Sequence, residues 1–101
     1  MGAMDFVHEV VGKTAQAAFK AACETAAYDH GHGGYTGTIA EKSEFIMVAV
    51  PAGKNPHEFA EDLIHDDNSK ISDKWGPAGC IDLGPVSPKE RRYLFFGWAS
   101  S

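Results

Sequence analysis

The stretch Arg91 to Ala99, RRYLFFGWA, constrains the fold more than any other. Its large apolar side chains alternate. Leu94, Phe96 and Trp98 fall on one side, Tyr93 and Phe95 on the other, which is the period of a β-strand. A strand carrying that much apolar surface has to lie in a sheet, and three large side chains on one face fill much of a small core. Gly79 to Leu83 reads as a further strand. Pro85 to Glu90 is the turn before Arg91, so the two form a hairpin.

Two helices precede this hairpin. Ala15, Ala18, Phe19, Ala22 and Ala26 recur at spacings of three and four, which predicts a helix over Thr14 to Tyr28. Thr14 is placed to cap its start, and Asp29-His30-Gly31 to end it. The many alanines let this helix lie close to whatever it packs on. Asn55-Pro56-His57-Glu58 is a helix start with a cap, a proline in the first turn and an acid three residues after the cap. Phe59, Ala60, Leu63 and Ile64 give that helix its apolar stripe, and it should stop near Asp66. Between the helices, Tyr35 to Glu41 and Glu44 to Val50 are rich in β-branched and aromatic residues, with Lys42 and Ser43 at a turn. They predict a first hairpin. Phe45 to Val50 is apolar on both faces, so it is expected at the centre of the sheet. Phe6 to Val11 reads either as extra helical turns or as an edge strand, with Gly12 as the break.

The order is then α-β-β-α-β-β. The expected architecture is one α+β domain over residues 1–101, a two-layer sandwich with an antiparallel sheet of about four strands and both helices on one face. A chain of 101 residues with 44% hydrophobic content suits one core. Longer apolar runs that could span a membrane are missing, and so is a secretory signal pattern, which together lead us to expect a soluble cytoplasmic protein. Cys23 and Cys80 lack metal-knuckle or redox spacing and read as buried free thiols.

With 9 basic and 14 acidic residues, the net charge is −5. That speaks against binding a nucleic-acid backbone, which needs a basic face. It suits a protein partner with a basic or mixed surface.

Candidate function concentrates in YDHGHGGYTGTIAEK, residues 28–42. Its glycines follow a helix and enter a strand, the reverse of a phosphate-cradling loop, and the Walker lysine is missing. Glycine needs at a helix stop explain Gly31, Gly33 and Gly34. They do not explain His30, His32, Tyr35, Thr36, Thr38, Glu41 or Lys42, which are therefore the candidate binding residues, with Thr36, Thr38 and Lys42 expected to face outward. Trp75, beside Gly76-Pro77 in a polar loop, joins them. It is either a lid over the core, the commoner role, or an exposed anchor.

Catalytic signals are weaker. His57, Glu61 and His65 are spaced four apart in HEFAEDLIH and could share a stripe, but HExxE has glutamate where the zinc-protease pattern needs histidine. His30-x-His32 supplies two imidazoles at most, so no metal and no cofactor are expected. Cys80 with a loop histidine lacks any supporting motif. The expected function is that of a small acidic binding module, acting on a protein partner or a small polar ligand through the His-Gly loop and the strand after it. Inhibitors made by phage and mobile elements are frequently of this kind. The alternative is a small hydrolase-like enzyme using His30 or His32 with Glu41, with or without a metal, for which no catalytic residue can be assigned.

Overall fold

The computed structural model describes residues 3–30, 38–66, 69–73 and 75–100. Within them lie two helices and a four-stranded mixed sheet, an α+β fold. The elements are β1 (Ala3–Gly12), α1 (Ala15–His30), β2 (Phe45–Met47), α2 (Pro56–Ile64), β3 (Ala78–Pro85) and β4 (Arg91–Ser100). Single 3-10 turns occupy Ile39–Glu41 and Lys70–Ser72.

The sheet order is β1-β4-β3-β2. β4 is the spine, antiparallel to β1 on one side and to β3 on the other, so the expected hairpin of β3 and β4 is present. A bulge between Asp82 and Gly84 sits at the hairpin end, where the Asp82 carboxylate accepts from the Gly84 amide at 2.9 Å. β2 runs parallel to β3 at the other edge.

Both helices are where the apolar periodicity places them. Thr14 Oγ1 accepts from the Ala17 amide at 3.1 Å, and Asn55 Oδ1 accepts from His57 and Glu58 at 2.8 and 3.3 Å. These side chains satisfy amides that a helix start leaves without partners. Gly12 explains how α1 comes so near β1. A side-chain carbon on it would lie 2.9 Å from Ala18 Cβ, so only glycine admits the first turn of α1 there.

The helices do not share a face. Phe6, Cys80, Tyr93 and Phe95 pack with Ala18, Phe19 and Ala22 of α1. Ile81, Leu94 and Phe96 pack with Ala60 and Ile64 of α2. The expected two-layer stack is thus replaced by three layers, with the sheet between the helices. Topology supplies the reason. The strand pairings make β1, β2 and β3 run in one direction. The connection through α1 crosses the sheet from one edge to the other, and the connection through α2 steps back one strand. Crossovers of the same hand that travel in opposite directions put their helices on opposite faces. The two-sided apolarity of β4 is what this arrangement requires.

The first expected hairpin is also corrected. The part of Tyr35–Glu41 that is described, from Thr38, is a 3-10 turn rather than a strand, and its place in the sheet is taken by β1. Thr38 Oγ1 accepts from the Ala40 amide at 3.3 Å, a local bond that competes with strand pairing. β2 lies at the edge rather than the centre and regular pairing ends at Met47. Its Ile46 and Met47 side chains are 41% and 55% exposed.

Candidate functional site

The segment after Thr38 and the loop before β3 meet at one end of the sheet, and Lys42 joins them. Ile39 is buried in the α1-side core and fixes the turn. The backbone then carries Lys42 inward, where only 6% of it is exposed. Its Nζ donates to the Gly76 carbonyl at 2.8 Å and to the Asp73 carbonyl at 3.4 Å. Burial holds the Lys42 ammonium below its usual pKa range, and the Asp73 carboxylate partly offsets this. Lys42 is therefore a strut inside the fold, not the outward-facing hairpin residue its polarity suggests.

The described residues of the loop it supports, 69–73 and 75–77, carry further bonds of their own. Ile71 is buried against the α2-side core. Ser69 Oγ accepts from the Ile71 amide at 3.1 Å and Ser72 Oγ donates to the Ser69 carbonyl at 2.8 Å. Asp73 Oδ1 accepts from the Trp75 amide at 2.9 Å, and the Ala78 amide donates to the Glu44 carbonyl at 3.0 Å. On this frame Trp75 is 65% exposed, so it is not the lid over the core that was the commoner expectation. Three residues on, Ala78 pairs with Phe45, which sets the loop at the end of edge strand β2. Trp75, Ile46 and Met47 are the large apolar side chains exposed along this stretch, and the solvent-exposed Glu44 and Asp73 accompany them.

Thr38 and Glu41 are half-buried. Thr38 borders a cavity of about 380 Å³ between β1 and α1, lined also by His8, Val10, Ala22, Thr25 and Ile39. The side chain of His30, and all of His32, Tyr35 and Thr36, lie outside the described residues.

The histidine stripe of α2 divides. His57 Nε2 approaches Glu9 Oε2 on β1 at 3.0 Å, and Arg92 reaches the other Glu9 oxygen at 3.7 Å. His65 instead pairs with Glu61 at 3.6 Å. His57, Glu61 and His65 therefore do not converge, while Asp5, Glu61 and His65 do. Sequence reasoning missed Asp5, since nothing local links it to α2.

Neither cysteine is poised as a nucleophile. Both are free thiols. Burial pushes Cys80, which has no exposed surface, up to about 12, and Cys23 up to about 11. The thiolate that attack requires is scarce at such values. Cys23 Sγ donates to the Ile39 carbonyl at 3.4 Å, a further tie between α1 and the turn.

Comparison with protein-family models, curated proteins and solved structures finds no match to this chain. Among the described residues, no helix is long and apolar enough to cross a membrane.

Proposed function

We propose that this protein is a binding module that holds a protein partner against Trp75 and the outer edge of β2. The observation that carries the reading is an indole 65% exposed on a loop whose backbone is pinned by a buried lysine. Tryptophan is among the side chains that concentrate binding energy in interfaces. Bonds that already hold Asp73, Trp75 and Gly76 lower what has to be ordered on association. The neighbouring β2 edge supplies exposed Ile46 and Met47, and an edge strand has backbone groups available for a partner's extended segment. Glu44 and Asp73 beside it, with the net charge of −5, favour a partner with a basic or mixed surface. The Thr38 cavity gives a second reading, a small polar ligand seated against His8, Thr25 and Thr38.

Affinity capture from host lysate with the wild-type chain and Trp75→Ala side by side tests the first reading. A partner retained by the wild type and lost by Trp75→Ala, with both chains equally stable to heat, is the expected result. Identical capture profiles for the two chains would refute it.

A further inference from the structure

We propose that Asp5, Glu61 and His65 form a site for a divalent transition-metal ion of the zinc type. The sequence offers His57 as the partner of Glu61 and His65, and the fold substitutes Asp5. Asp5 stands opposite Trp98 in the pairing of β1 with β4. Strand alternation puts Asp5 on the same face as Val7, which packs together with Trp98 against the α2-side core. Trp98 Nε1 donates to the Ile64 carbonyl at 2.8 Å, which fastens the last turn of α2 above this point. Glu61 and His65 are one turn apart on that helix, so both reach toward Asp5.

The donor geometry supports the assignment. One ligand atom from each of the three side chains lies within 4.8 Å of the other two, and Glu61 Oε2 and His65 Nε2 are 3.6 Å apart. Donors at zinc bond lengths of about 2.0–2.1 Å in tetrahedral arrangement stand about 3.4 Å from one another. The Glu61–His65 spacing is already close to that, and small side-chain rotations bring Asp5 into the set. The His65 ring is oriented by the edge of Trp98, with centroids 6.2 Å apart and planes at 79°. One imidazole with two carboxylates suits zinc, cobalt, nickel or copper better than calcium or magnesium, which favour all-oxygen sites. All three side chains are exposed, so a fourth position faces water.

A Glu-His pair one turn apart is also an ordinary helix-surface ion pair. The contribution of Asp5 separates the two accounts. Calorimetric titration with zinc chloride, in buffer free of chelators, is the first measurement. Cobalt(II) absorption then reports coordination number. In a Trp75→Phe background, nickel(II) should quench the Trp98 fluorescence, because the site adjoins that ring. One equivalent of zinc is expected. Asp5→Asn and His65→Gln should each weaken binding by more than the about 10–100-fold that loss of an outer-shell partner costs. His57→Gln should bind as the wild type does. Glu61→Gln serves in place of either variant that loses its native circular dichroism. Failure of zinc to bind saturably would overturn the assignment. So would Asp5→Asn binding zinc as tightly as the wild type, which would leave only a surface Glu-His pair.

Discussion

Replacing Lys42 by methionine tests the inward reading of a residue whose type and neighbours place it on the surface. Methionine keeps most of the aliphatic stem and deletes the ammonium. Two carbonyls, Gly76 O at 2.8 Å and Asp73 O at 3.4 Å, then lose their donor. Hydrogen bonds to a charged group contribute about 1.5–3 kcal/mol each. The longer of the two is at the weak end, and both are only partly buried, so water can replace some of what is lost. The substitution also relieves the cost of burying a charge, which is what holds the Lys42 pKa down. The net loss should be about 2 kcal/mol, against the ~0.5 kcal/mol ceiling of an ordinary surface change. With a urea slope of about 1–2 kcal/mol per molar, the midpoint should fall by about 1–2 M. The sign of the pH effect is a second check. The folded-state pKa is below the unfolded one, so between them the unfolded chain binds more protons, and wild-type stability should rise with pH across that window. Lys42→Met should lack this rise. A midpoint within about 0.3 M of wild type, with the same pH profile, would refute the strut.

The sheet's spine and its edge should respond differently to truncation. Phe96→Ala should cost about 3–5 kcal/mol, whereas Ile46→Ala, already 41% exposed on β2, should cost under ~1 kcal/mol in the same urea assay. Equal losses would mean β2 is central after all. Cys80, with no exposed surface and a thiol pushed to about 12, should resist iodoacetamide in the native protein at pH 8 and react in urea, as read by intact mass; rapid native labelling would show that the β3 core opens readily.

Both helices could be found from sequence because their signals are local. The alanine stripe of α1, and the Asn55-Pro56 start of α2, depend on residues within one or two turns. The β3–β4 hairpin is readable for the same reason, since alternation and the Pro85–Glu90 turn are contiguous. β2 reads as central but lies at the edge, because an apolar run looks the same at a sheet's centre as beside an exposed edge. Its position is decided by α2, which must carry the chain back to β3. The split of the helices between two faces is equally non-local, since it follows from the directions of two crossovers. At the candidate site, Trp75 was identifiable as a large apolar residue in a polar loop. Its exposure depends on Ile71 and Lys42 holding that loop from beneath. Lys42 reads as a surface residue beside a turn, yet its ammonium donates to backbone carbonyls 31 and 34 residues away. Asp5 gave no local signal, because its proximity to His65 is created by β1 pairing with β4.

That pairing has a consequence for how the protein is made. Ala3 lies opposite Ser100, and every backbone bond of β1 to the sheet is to β4. During synthesis β1 and α1 are made well before β4, so β1 has no strand to join until nearly all of the described residues are in place. α1 can form early and Phe19 can pack on Ile39 and Phe45 once they follow, but the core that Phe6 and Phe19 share closes only when Phe95 arrives. Contacts this distant in sequence slow folding through the entropy of closing a long loop. Until β4 is made, β1 therefore stays unpaired, and Phe6, Val7 and Val10 lack the cores that hold them in the folded protein, the kind of exposed apolar strand from which misassembly starts.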